Sequence, residues 1–185
     1  MELDECISGR RSIRSYKDKA VPKEIIDKIL KAGIMAPSGM NAQPWNFVVI
    51  ENKDTIRELS KKLKSILLKG SWPEEYKKAF QSDKDVVFYE APLLILISVA
   101  KREEMRNVNL LDCGLAAQNM FLAAFQEGLG SCFIGFASFL NQVPETLAEI
   151  GIPQNYELMA PLIFGYPAES PAPLPKEIKI LKWIK

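Results

Sequence analysis

A single domain mixing helices with strands, finished by an extended arm, is what the sequence predicts, and three observations carry it. First, 185 residues with 48% hydrophobic, 25% charged and 9% aromatic side chains are enough for one real core. Second, apolar residues recur at helical spacing in several segments, and short β-branched apolar runs separate those segments. Third, Pro167, Pro171, Pro173 and Pro175 crowd the segment after the last strand, which neither helix nor sheet tolerates. Residues 1–185 therefore read as one domain, with 166–185 the extended arm.

The elements follow in order. Residues 3–8 form a short helix. Pro22 suits the first turn of the next one, where its missing N–H has no partner to lose, and Ile25, Ile26, Ile29, Leu30 and Ile34 give it one apolar face. That helix ends before Pro37. Asn46–Glu51 is a strand, and 53–68 an amphipathic helix rich in lysine. A polar stretch from Lys69 to Glu90 carries Trp72, Tyr76, Phe80, Phe88 and Tyr89 without a clear period. Leu93–Val99 is a continuous apolar run, the pattern of a strand buried on both faces. About Leu110 to Glu127 lies the longest apolar helix, with Asp112 near its start. Residues 131–136 make a strand whose end holds Gly135, 143–150 a helix opened by Pro144, and 156–166 the last strand. The arm's Ile178, Ile180, Leu181, Trp183 and Ile184 cannot bury themselves locally and need another surface, on this chain or on a second subunit.

Charge and residue absences narrow the function. Twenty-four basic against 23 acidic residues leave a formal charge of +1, so no global field favours nucleic acid. The strongest apolar run, Ala91–Ala100, is half a bilayer span. The acidic start Met1-Glu2-Leu3-Asp4-Glu5 is unlike a signal peptide, and a soluble, cytoplasmic chain is expected. There is no histidine, which removes histidine-based triads and metal sites. Cys6, Cys113 and Cys132 are too scattered for a disulfide framework or a metal motif and read as small buried hydrophobes. No metal site is expected, and an enzyme built this way needs an organic cofactor.

Three segments could serve one. Arg10 to Lys19 holds five cations and one acid, with Ser12 beside Arg11; alone it is either a site for one compact phosphate or a solvated basic turn. Pro37-Ser38-Gly39-Met40-Asn41-Ala42-Gln43-Pro44-Trp45 offers uncharged donors and acceptors on a restrained backbone, suited to a heterocycle edge or merely to a helix-to-strand turn. Gly128–Phe136 places glycines after a helix and before a strand, the reverse of the dinucleotide fingerprint.

In this order the blocks RRSIR (10–14), APSGMNAQPW (36–45), GLGSCFIGF (128–136) and LIFGYP (162–167) resemble the FMN-dependent nitroreductase family over nearly the whole chain, from Arg10 to about Lys176. The resemblance implies an α+β fold with a central mixed or antiparallel sheet flanked by helices. It implies a homodimer holding FMN at the subunit interface, with the C-terminal arm reaching the partner. By this likeness Arg10, Arg11 and Ser12 would hold the phosphate and ribityl end, and Arg14 the pyrimidine edge. Pro37, Ser38, Gly39, Met40 and Asn41 would come from the partner subunit, with Gln43 bracing their turn. Ile134 and Gly135 would set a backbone N–H against flavin N5. The implied activity is an oxidoreductase taking electrons from NADH or NADPH and passing them to a nitroaromatic, a quinone or a similar small acceptor by a ping-pong cycle. No side-chain acid or base is assigned, since the flavin carries the chemistry. A flavin carrier without turnover, or a same-fold enzyme of another reaction such as reductive dehalogenation, are the alternatives. One departure stands out: where the family often has two basic residues after the Gly-Tyr-Pro turn, only Lys176 remains.

Overall fold

The structure, a computed structural model describing residues 2–185, is built on four antiparallel strands in the order β1-β2-β4-β3. These are β1 (Asn46–Ile50), β2 (Leu93–Ala100), β3 (Gly130–Phe133) and β4 (Tyr156–Gly165). Six α-helices accompany them among the described residues: α1 (Leu3–Gly9), α2 (Lys23–Ile34), α3 (Lys53–Leu67), α4 (Glu74–Gln81), α5 (Arg106–Gln126) and α6 (Pro144–Glu149). The architecture is α+β, as expected.

The alternation of β2 explains the two layers. Leu93, Ile95, Ile97 and Val99 face α2 and α5 with Ile29, Ala116 and Met120, while Leu94 and Leu96 face α3 with Ile56, Leu63 and Phe88. A strand buried on both faces has few polar positions to spare, hence the run LLILISV, whose one polar residue, the buried Ser98, donates its hydroxyl to Asn46 O at 3.5 Å. Between β2 and β4 the register shifts: Ile97 is opposite Ala160 but Ser98 is opposite Leu158, leaving Met159 as a bulge. Asn52 starts α3 by accepting the Thr55 N–H at 2.9 Å.

Several boundaries differ from the sequence reading. Pro22 stands just ahead of α2 rather than in its first turn. The long helix begins at Arg106, not Leu110, so Asp112 is mid-helix and buried. The strand at 130–133 stops before Gly135, which instead opens a 3-10 stretch, Gly135–Gln142, after Ile134 N–H makes a last bond to Pro161 O of β4. α4 was hidden in the 69–90 stretch, where charged residues fill its solvent face and only Phe80 is buried. Together with the turn before it, α5 spans Glu103–Gln126, long and apolar enough to cross a bilayer by length and composition alone. Yet Cys113, Ala116, Ala117, Met120 and Ala124 pack into the core of this chain.

After β4 the described chain has no helix or strand, and Leu174, Ile178, Leu181, Trp183 and Ile184 stand exposed. The segment before α2 does attach. Ile13 N–H donates to Ser131 O at 3.0 Å, Ser12 bridges Ser131 in parallel, and Lys17 N–H donates to Tyr166 O at 2.8 Å. Residues 12–17 thus cover the outer edge of β3 and carry the basic cluster to the end of the sheet.

Candidate functional site

Covering that edge divides the side chains of the 10–14 block between the core and the outer surface. Ile13 turns inward and is buried. Arg10, Arg11, Ser12 and Arg14 turn outward and line a cavity of about 680 Å³, closed on its other side by Pro171–Leu174 and Lys176 at the start of the arm. A second cavity of about 250 Å³ joins Ser12, Arg14 and Ser15 to Glu169 and Ser170. A third, of about 310 Å³, runs from Arg14 to Ile134 and Gly135 between Trp72, Tyr89, Phe133, Phe136 and Phe139. Arg14 lines all three, so they form one groove, cationic at one end and aromatic at the other.

Each cation is held differently. The Arg10 guanidinium lies over the Phe121 ring, 5.7 Å from its centroid. Arg11 turns back to donate to Ser8 O at 2.6 Å and Arg10 O at 2.8 Å, finishing the end of α1. Arg14 lies over the Tyr89 ring at 5.9 Å. Lys19, the far end of the sequence cluster, stacks on Tyr166 at 4.0 Å, and Asp18 pairs with Lys53, so neither belongs to the groove.

At the aromatic end, Ile134 N–H is already spent on Pro161 O at 2.9 Å. Among the described residues Gly135 N–H has no backbone acceptor. A Cβ added at Gly135 would meet nothing within 4 Å, which leaves this backbone open to whatever fills the groove. Trp72 and Phe136 meet edge to face at 5.3 Å, with Phe139 and Tyr76 beside them. Burial pushes the Cys132 thiol up from its ordinary value, and it stays a neutral neighbour of Arg14.

The turn at 37–43 is elsewhere. None of the three cavities takes a residue from it. Gly39 N–H donates to both Asp112 carboxylate oxygens, at 3.2 and 3.3 Å, and Gln43 N–H to the Ser38 hydroxyl at 2.9 Å. Met40, Asn41 and Gln43 are all in the left-handed region, and Met40 is fully exposed. Ile34 and Met35, just ahead of the turn, and Leu111 and Leu115, on the helix that carries Asp112, are also large apolar side chains open to solvent.

Sequence reading missed Asp112 as the anchor of this turn and Tyr89 as the partner of Arg14. Asp112 carried a signal, a carboxylate in an otherwise apolar helix. Tyr89 carried none, because a left-handed aromatic has no sequence mark.

The Nitroreductase family model matches residues 7–166. The chain belongs to that family. A Methanothermobacter thermautotrophicus protein provisionally named NADH dehydrogenase/NAD(P)H nitroreductase is 31% identical, over 99% of this chain and 88% of its own. A Bacteroides fragilis nitroreductase solved with bound FMN is 31% identical and superposes with a TM-score of 0.84, covering 100% of this chain and 98% of its own. Rat iodotyrosine deiodinase 1 is 30% identical over 90% of this chain, which spans 62% of that relative. Within one family, then, the same fold serves more than one reaction.

Proposed function

We propose that this chain, an FMN-dependent oxidoreductase of the nitroreductase family, uses NADH or NADPH to reduce a nitroaromatic, a quinone or a similar small acceptor by a ping-pong cycle. The observation that carries the reading is the groove itself, where four cations at one end lead through Arg14 to an open glycine backbone at the other. FMN has that polarity, a phosphate joined by a flexible chain to a planar heterocycle, and the groove's volume suits a cofactor. When bound, FMN supplies the two-electron chemistry, which explains how a chain without histidine can be an oxidoreductase.

The residues then have separate jobs. Arg10, Arg11 and Lys176 set charge around the phosphate, where guanidinium forks match its oxygens. Ser12 offers a hydroxyl to the ribityl chain. Arg14 places a permanent positive charge at the pyrimidine edge, favouring the more negative, reduced cofactor. Gly135 offers its N–H near the reacting edge, with Ile134 as the apolar floor. The aromatic wall excludes water and gives a planar donor or acceptor a surface to stack on.

The site is completed by a second copy. The exposed Ile34, Met35, Met40, Leu111 and Leu115 mark the shared face. The rigid turn of Pro37, Ser38, Gly39, Met40 and Asn41, braced by Gln43, projects from it to meet the partner's cofactor. The arm from Pro167, whose apolar residues find no cover on their own chain, lies over that partner. The protein is then a soluble, cytoplasmic homodimer.

Anaerobic mixing of the FMN-loaded protein with NADH or NADPH should bleach the flavin absorbance, and 4-nitrobenzoate or a quinone should restore it in a second mixing. Absence of bleaching with either nucleotide overturns the reading. The deiodinase likeness supports a second reading, reductive dehalogenation, which is favoured if an iodinated phenol but no nitroaromatic or quinone restores the colour.

A further inference from the structure

The loop after α4 holds two bulky residues in succession in the left-handed region, Tyr89 (φ 57°) and Glu90 (φ 54°). An aromatic residue persists there only when its surroundings force it to. Here they do. The Asp85 carboxylate accepts the N–H groups of Val87, Phe88 and Glu90 at 3.1, 2.9 and 3.1 Å, and the Ser60 hydroxyl of α3 at 2.6 Å. Arg57, also on α3, donates twice to one Glu90 carboxylate oxygen, at 3.1 and 3.0 Å. Both sides of Tyr89 are thereby fastened to one helix.

What this strained loop delivers is a ring beneath Arg14, inside the cavity that both residues line with Gly135. Arg14 has no carboxylate partner among the described residues. The difference matters. An acidic partner would hold the guanidinium but cancel its charge, whereas an aromatic face holds it and leaves the charge for a ligand. Burial raises the Tyr89 phenol above its ordinary value, so it stays neutral at physiological pH.

We propose that Tyr89 is a positioning residue that fixes the Arg14 guanidinium toward the bound cofactor, and that the strained 85–90 loop exists to set it there. This rests on the reading of Arg14 as the residue at the flavin's pyrimidine edge. By this route Tyr89 controls how strongly the site prefers reduced over oxidised flavin.

The test uses FMN-loaded protein carrying Tyr89→Gly, Tyr89→Phe, Arg14→Ala or Arg14→Ala with Tyr89→Gly. Its readouts are thermal stability, affinity for oxidised FMN and the flavin midpoint potential. Glycine accepts the positive φ without strain, so Tyr89→Gly removes the ring while sparing the loop. Expected is some loss of thermal stability, because the half-buried ring also packs on the α3-side core, together with a roughly two- to fivefold loss of preference for reduced FMN, seen as a lower potential. Tyr89→Phe, which keeps the ring, should recover most of it, and Tyr89→Gly should add nothing once Arg14 is gone. An equal shift with and without Arg14, or no shift at all from Tyr89→Gly while Arg14→Ala lowers the potential, overturns the role of Tyr89. If Arg14→Ala itself leaves affinity and potential unchanged, the Arg14 assignment fails, and the proposal falls with it.

Discussion

Gly130 opens β3, and nothing larger fits there. A Cβ at this position would lie 2.5 Å from Ile13 Cγ1, 2.7 Å from Ile13 Cβ and 3.0 Å from Ile13 Cγ2. Carbon atoms settle at about 3.5–4.0 Å, so Gly130→Ala requires a displacement of about 1 Å. Ile13 cannot absorb it by changing rotamer, because its own Cβ is among the atoms struck. It is also buried and tied to Ser131 through its N–H at 3.0 Å. The backbone of 12–14 must therefore lift off the sheet edge and take Ser12 and Arg14 with it. Overpacking of this kind costs about 1–3 kcal/mol, equivalent to a fall in Tm of roughly 2–4 °C for each kcal/mol in a chain of this size. Misplacing ligand-binding groups by about 1 Å costs up to roughly a hundredfold in what they do. Thermal unfolding and titration of FMN into the apoprotein should show both losses together. Adding Ile13→Ala removes two of the three struck atoms and should recover part of the FMN affinity. A Gly130→Ala protein with native Tm and native FMN affinity would refute the coupling of the sheet edge to the site.

Three other perturbations have definite outcomes. Asp112→Ala frees the Gly39 N–H from a charged acceptor, a loss of about 1–3 kcal/mol; deuterium exchange at Gly39–Gln43 should quicken, and unchanged exchange contradicts the anchoring role. Lys176→Ala, at the exposed arm, should narrow the preference for FMN over riboflavin by fivefold or less, about 1 kcal/mol at most; a complete loss of preference would mean that the phosphate rests on the arm rather than on Arg10 and Arg11. Burial pushes the Cys113 thiol up to about 12 from the 9.0 of a free one. Above about pH 9 the unfolded chain has released this proton while the folded chain keeps it, so stability falls by roughly 1 kcal/mol per pH unit from there to about pH 12. Denaturant unfolding of Cys113→Ala against the native chain across that range isolates this slope, and parallel curves would contradict it.

β2 was legible because burial on both faces leaves an unmistakable signature: LLILISV needed no context to be read as a strand. α2 and α3 were legible for a different reason, one apolar stripe recurring at helical spacing. α5 was placed too late because its first turn is polar, with Arg106, Asn107 and Asn109 ahead of the apolar stretch. α4 escaped because eight residues with one buried side chain carry almost no period. In the site, the RRSIR block and Lys176 did converge on one cavity, although 161 residues lie between Arg14 and Lys176 and no local signal joins them. The resemblance supplied that link. The division of labour among the arginines depends on partners far along the chain, Phe121 for Arg10 and Tyr89 for Arg14, and no pattern in the sequence announces such pairs.

The central claim is that one chain's cationic groove and another chain's Ser38–Gln43 turn together hold FMN. Native mass spectrometry of the protein after FMN addition and desalting tests it most directly. Two chains carrying two FMN molecules are expected, with Asn41→Ala and Arg14→Ala each weakening occupancy and a mixed dimer of the two variants retaining one tightly held FMN. FMN retained by a single chain, or a mixed dimer with both sites equally weakened, would contradict it.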